Sequence, residues 1–185
     1  METTEIAKID LKTIKWNDLD SLDLPKKGKL AIRNQLLNCN PPKVWIKKHP
    51  LYKNDYLPID KVEYLLTTFF GSWHVEIKAA FQIANSVCVT VRLHYLNPDT
   101  GEFDWQDGAG AAPMQLDSGA KASDFSAVKN NAVMLALPIA ETNAEKDAAD
   151  KIGKLFGRDL NRKDTLGYER LIEGMDFSDA KKTEK

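Results

Sequence analysis

The sequence predicts an α+β fold in which a three-stranded antiparallel meander and a short extra strand carry helices on one face. The first observation behind this is an alternation from Trp73 to Tyr95. Trp73, Val75, Ile77, Ala79, Phe81 and Ile83, then Val87, Val89, Val91, Leu93 and Tyr95, all take odd positions. Even positions are mostly polar: His74, Glu76, Lys78 and Gln82, then Cys88, Thr90, Arg92 and His94. A period of two with one apolar parity describes a hairpin with one side buried and one wet. The second observation is Asn97-Pro98-Asp99-Thr100-Gly101, a turn because Pro presets φ and Gly accepts a positive φ, with a third strand through Phe103 and Trp105 after it. The third is apolar residues at helical spacing on both sides of the meander.

Before the meander, Leu30, Ile32, Leu36 and Leu37 predict a short helix over Lys29 to Asn38, stopped by Asn40-Pro41-Pro42. Lys43 to Pro50 reads as a strand-like run with three lysines and Trp45. In Tyr56-Leu57-Pro58-Ile59-Asp60-Lys61-Val62-Glu63, Asp60 is positioned to cap a helix and Glu63 to reach back to it. Val62, Leu65, Leu66 and Phe69 form that helix's apolar stripe, Gly71 ends it, and it is expected to lie on the meander's apolar face.

Beyond the third strand, Gly108-Ala109-Gly110-Ala111-Ala112-Pro113 is a small-residue stretch where backbone can approach another chain or a ligand closely. It lacks the GxGxxG spacing of a nucleotide loop. Ser123 or Asp124 can cap a helix carrying Phe125, Val128, Ala132, Leu135 and Ala136, which Pro138 kinks or interrupts. From Ala140 a second helix puts Ala144, Ala148, Ile152 and Leu155/Phe156 on one stripe. Lys146, Asp147, Asp150, Lys151 and Lys154 lie opposite, and Arg158, Arg162 and Lys163 follow Gly157. Charge on an outer helix face is usually no more than solvation. Residues 1–28 are set apart as an N-terminal arm, either packed on a neighbour or loose, 29–165 as one domain, and 166–185 as a flexible charged tail.

A chain of 185 residues with 43% hydrophobic content suits one ordinary core. With 26 Lys plus Arg against 27 Asp plus Glu, the net charge of -1 exerts no overall pull toward polyanions, so any such site must come from local segregation of charge. Cys39 and Cys88 lie far apart without metal-ligand spacing and read as reduced thiols. No apolar run approaches the roughly 20 residues that span a bilayer, and Met1-Glu2 lacks the basic start of a signal peptide. A soluble cytoplasmic protein without cofactor or metal is expected.

Taken in order, Tyr56-Leu57-Pro58-Ile59-Asp60-Lys61-Val62-Glu63 leading to Phe69-Phe70-Gly71 and Trp73, Cys88-Val89-Thr90-Val91-Arg92-Leu93, Gly101-Glu102-Phe103, Ala144-Glu145-Lys146-Asp147-Ala148-Ala149 and Lys154-Leu155-Phe156-Gly157-Arg158-Asp159-Leu160-Asn161-Arg162 resemble the annealing core of the Rad-fifty-two superfamily. That superfamily includes eukaryotic recombination mediators and phage and prophage single-strand annealing proteins. The resemblance covers about Lys29 to Lys163 and rests on the order of these segments. It implies a curved β-β-β-α fold and a homo-oligomeric ring or spiral. It also implies single-stranded DNA held by its backbone in a basic groove so that complementary strands can anneal in DNA recombination and repair, with no hydrolysis.

The same resemblance implies that the helix ending at Phe156-Gly157 lines the groove with Lys146, Lys151, Lys154, Arg158 and Arg162, that Lys47 and Lys48 add a phosphate contact, and that Arg92 is the strand contribution. Asp150 stands where the family often has lysine. A phage exonuclease or single-strand binding protein is an implied partner, in a bacterial host cell if the chain is phage-encoded. The resemblance does not extend to the long C-terminal partner-binding region of eukaryotic members.

Two other classes are weighed beside this one. Asp104, Asp107 and Asp117 are loosely spaced in the way a magnesium nuclease uses, although turn and loop aspartates are commoner. His49, His74 and His94 form no short-spaced ligand pair; a hairpin allows His74 and His94 to face each other, yet a partly exposed strand histidine is far commoner than a site. Trp45, Trp73, Tyr95 and Trp105 are able to stack bases, yet such residues more often form core or subunit contacts. The alternative to strand annealing is a non-catalytic protein-interaction module on the same scaffold.

Overall fold

The computed structural model describes residues 19, 21, 25–50 and 52–163. The expected tail lies outside the described residues, as does most of the expected arm. The arm's last residues belong to the first helix, α1 (Lys26–Leu37), which starts three residues ahead of the expected Lys29. Pro25 presets φ there, and its carbonyl accepts from the Gly28 and Lys29 amides at 2.8 and 3.1 Å. α1 buries Ile32 and Arg33, and the Arg33 guanidinium binds Asp99 in the turn after the hairpin, so the helix is tied to the meander.

The fold is α+β. A three-stranded antiparallel sheet of β3 (Trp73–Ile83), β4 (Ser86–Leu96) and β5 (Phe103–Pro113) packs against α3 (Ala132–Asp150), and β1 (Lys47–Lys48) pairs with β2 (Asp55–Tyr56) in a separate small sheet. The expected single extra strand is thus half of a hairpin, preceded by a 3₁₀ turn over Lys43–Trp45. Every odd residue of β4 from Val87 to Tyr95 is buried. The Asn97–Gly101 turn closes as the sequence suggests, with Gly101 at φ 75° and the Asn97 amide donating to Glu102 O at 2.8 Å.

β3 departs from the single-parity expectation. Ile77 pairs with Val91, but Ala79 pairs with Thr90, so Lys78 is an extra residue in a β-bulge. Beyond it the pleat is shifted by one: Phe81 and Ile83 sit opposite Cys88 and Ser86 on the outer face, and both are exposed. Ile77 keeps the core face yet is 53% exposed, because the covering helices do not reach it.

α2 (Ile59–Phe70) buries Val62, Leu65, Leu66, Phe69 and Phe70 and ends at Gly71, φ 66°. Pro58, not Asp60, occupies the capping position. Asp60 falls in the first helical turn, where its charge suits the helix dipole, and pairs with Lys61 at 3.1 Å. The helix sits at one end of the sheet, where Phe70 meets Tyr95 at 4.5 Å between ring centroids and Phe156 at 6.4 Å.

The element that covers the sheet is α3. It runs through Pro138 as one helix of 19 residues, and Asp124 instead caps a short 3₁₀ turn, Phe125–Ala127. Its alanines at every fourth position, Ala132 to Ala148, are buried. They lie directly on β5: a Cβ added at Gly110 would stand 2.3 Å from Ala140 O and Ala144 N, and one at Gly108 2.1 Å from Ala144 O. The small-residue stretch of the sequence therefore admits the chain's own helix, not a ligand or another chain. The helix stops at Asp150, and Leu155 and Phe156 reach the core from a separate 3₁₀ turn, Lys154–Phe156, closed by Gly157 at φ 110°. No helix among the described residues is long and apolar enough to cross a membrane.

Candidate nucleic-acid interface

The basic residues singled out in the sequence lie along a path that starts on the outer sheet face, rounds the β5 edge and enters a cleft. At its start Arg92 makes two bonds to the Asp107 carboxylate, 2.7 and 2.9 Å, and lies over the Trp105 ring at 3.9 Å. This contact holds the Asp107 carboxyl below its usual range. At the edge, Lys151 donates to the Asp107 carbonyl and to Asp147 at 3.0 Å.

Lys151 belongs to a ladder. Asn143 and Asp147 on α3 and Lys151 just past its end, spaced four apart, bond to Ala111 O, Ala109 N and Asp107 O, which are alternate outward backbone groups of β5. The strand edge is thereby closed by side chains of its own covering helix.

Past the ladder, a cleft of about 230 Å³ opens between α3 and the β1–β2 hairpin, lined in part by Asn143, Lys146, Asp147, Asp150 and Tyr56. Asn161, in the segment after Gly157, ties that segment to the hairpin, accepting from the Asp55 amide at 2.8 Å and donating to its carbonyl at 2.7 Å. Lys146 lies 5.5 Å from the Tyr56 ring centre, and its burial lowers its pKa although Asp150 opposes this. Burial, reinforced by Asp147, raises the Asp150 pKa to about 6, against the pull of Lys146, Arg158 and Arg162. Lys48 pairs with Asp55 at 2.9 Å; its neighbour Lys47 is exposed and lies close enough to act on Asp60.

Asp159 gathers the last three cations. Lys154 reaches it at 3.2 Å, Arg162 at 3.2 Å and Arg158 at 3.7 Å, and Arg158 also donates to Asn38 at 3.0 Å. Six of the eight expected basic residues thus pair with an acid, three of them sharing Asp159, while Lys146 lies near Asp150 and Lys47 near Asp60. The sequence reasoning named Asp107, Asp147 and Asp150 but missed Asp55 and Asp159 as partners of the cations. It also missed the structural duty of Lys151, although the spacing of Asn143, Asp147 and Lys151 was there to be read.

The other candidates separate. Asp104 and Asp107 have opposite parity on β5, and Asp117 lies in the loop beyond. Among the described residues no three His, Cys, Asp or Glu side chains come together as metal ligands. Tyr95 is buried, and Trp45 and Trp73 pack against the core, whereas Trp105 is exposed. No family model and no curated protein matches this chain.

Proposed function

We propose that this protein binds single-stranded DNA and anneals complementary strands in recombination and repair, acting as a homo-oligomeric ring or spiral and catalysing no bond cleavage. The observation that carries this reading is the set of cations from Arg92 and Lys151 at the β5 edge to Lys146 in the cleft and Lys48, Arg158 and Arg162, interleaved with aspartates. The pairing of these cations with carboxylates does not disable them. The exposed pairs, Lys48 with Asp55 and Lys151 with Asp147, are worth about 0–1 kcal/mol each, so phosphates displace those acids at little cost, whereas the buried Asp159 keeps its cations more firmly. Contacts to the sugar-phosphate rail give affinity without sequence preference and leave base edges free to pair.

Self-assembly draws support from α3. Around its first half Val133, Met134, Leu135, Leu137 and Ile139 are all exposed, and a helix apolar on every side is ordinarily covered. A neighbouring copy would cover it and would repeat the basic path along one strand, making each further contact effectively intramolecular. The same apolar helix favours the second reading, a protein-interaction module.

Lys48 and Arg162 are 72% and 62% exposed, and Asp159 keeps Lys154 and Arg158 when Arg162 is replaced, so the double alanine variant should stay folded. We expect the double variant to bind labelled oligonucleotide at least tenfold more weakly at low salt, with a shallower dependence on salt concentration. Wild-type protein that shifts no oligonucleotide at any salt concentration selects the interaction module instead.

A further inference from the structure

The basic path accounts for phosphates and leaves a second feature unused. On the outer face of the sheet, the face α3 does not cover, cross-strand pairing sets His74, His94 and Trp105 in one row and Glu76, Arg92 and Asp107 in the next, with Phe103 at the end of β5. The His74 and His94 rings are stacked, 4.6 Å apart at 10°, and Phe103 leans on His74 at 5.8 Å. Phe103 and Trp105 are 49% and 51% exposed. Cross-strand rings of this kind stabilise a sheet by themselves, but that role does not call for two large rings half in water on one patch. The patch adjoins the basic path, because Arg92 stacks on Trp105 and binds Asp107 at the strand edge.

We propose that this outer face is a base-stacking surface for single-stranded nucleic acid, with Trp105 and Phe103 receiving the bases and Arg92 fixing the plane of Trp105. The proposal rests on the single-strand reading and adds to it that the bases as well as the phosphates are held. Stacking engages the faces of a base and leaves its pairing edge open, which suits a protein that presents a strand to its complement.

The test compares a thymidine oligonucleotide with an abasic one of equal length, which carries the same phosphates and no rings, by fluorescence anisotropy. Wild-type protein should prefer the base-bearing strand by about fivefold to a hundredfold. Trp105→Ala and Phe103→Ala should each erase much of that preference, with abasic binding reduced far less than base-bearing binding and only a small drop in melting temperature. Trp105→Phe, which keeps a ring, should retain affinity but lose the quenching of tryptophan fluorescence that the base-bearing strand causes. Equal wild-type binding of both strands, or variants that weaken both alike, overturns the stacking surface while the basic path stands. Failure of wild-type protein to bind either strand removes the single-strand reading and this proposal with it.

Discussion

β3 and β5 are the two outer strands of one sheet and have the same length, yet they are treated in opposite ways. β5, with Gly108, Gly110 and Ala112 on its inner face, lies directly beneath α3 and has its outer backbone groups bonded by Asn143, Asp147 and Lys151. β3, with Val75, Ile77, Phe81 and Ile83, is much the more apolar strand and is the more exposed. Closeness of approach, more than hydrophobicity, decides which edge is covered here. Only a strand without side-chain bulk lets an alanine-faced helix settle at backbone distance, and that contact excludes water along its length.

The most direct way to break this contrast is to give β5 bulk. Gly110→Val forces a side chain into the Ala140 carbonyl and the Ala144 amide, neither of which is a flexible side-chain end. We expect a loss of about 3 kcal/mol or more in urea denaturation. Ala80→Val on exposed β3 should change stability by less than about 0.5 kcal/mol. Equal effects at the two positions would mean that α3 does not sit as closely on β5 as described.

A second contrast lies on α3 itself. Its sheet-facing side is alanine, whereas Glu145 is buried with one carboxylate oxygen, Oε1, lacking a hydrogen-bond partner. Burial, helped by Glu63 on α2 and by Glu141, raises its pKa to about 7. A carboxyl raised in the folded state favours folding while protonated. Its contribution is therefore complete below the unfolded value near 4.5 and is lost as pH climbs toward and through about 7. Asp150, raised to about 6, acts with the same sign in a lower window. We expect wild-type stability to fall by roughly 2 kcal/mol more than that of Glu145→Gln between pH 5 and pH 8. Parallel pH curves for the two proteins would remove Glu145 from the account.

These contrasts also show what a sequence displays and what it hides. The alternation of β4, the Asn97–Gly101 turn and the apolar stripe of α2 are local patterns, and each was legible. The Lys78 bulge was not, because inserting one residue into a run that alternates throughout leaves the pattern unchanged and alters only which face the second half presents. Gly108 and Gly110 announced a close approach, but their partner is set by tertiary packing 30 or more residues away. Pro138 argued for a break, yet α3 continues through it because the helix is held by its alanine stripe against the sheet. At the candidate interface the cations were visible as charge. That Asp159 gathers three of them, and that Lys151 bonds a strand edge, depends on which turn of chain returns to which helix.

The edge ladder separates β5 from β3 on a finer scale. Asp147→Ala frees the Ala109 amide at the surface and removes a partner of Lys151. We expect a loss of about 1 kcal/mol, seen as roughly fivefold faster hydrogen exchange at Ala109. The outward amides of β3 should already exchange quickly and should not respond. An unchanged Ala109 rate would show that the ladder contributes nothing to edge protection.

The smallest effect on folding is expected on the bare strand, and there it discriminates best. Phe81 is turned outward by the bulge and is exposed, so Phe81→Ala removes little buried surface within one chain and should shift monomer stability by less than about 0.5 kcal/mol. If neighbouring copies cover the apolar surface left by β3 and the first half of α3, the same substitution lowers the average mass seen by sedimentation velocity while the denaturation midpoint of dilute protein stays in place. Leu137→Ala on α3 should act in the same direction. Assembly that withstands both substitutions would place the contact between copies elsewhere, and the exposure of β3 would then reflect only the short reach of α2 and of α3, which lies closer to β5 than to β3.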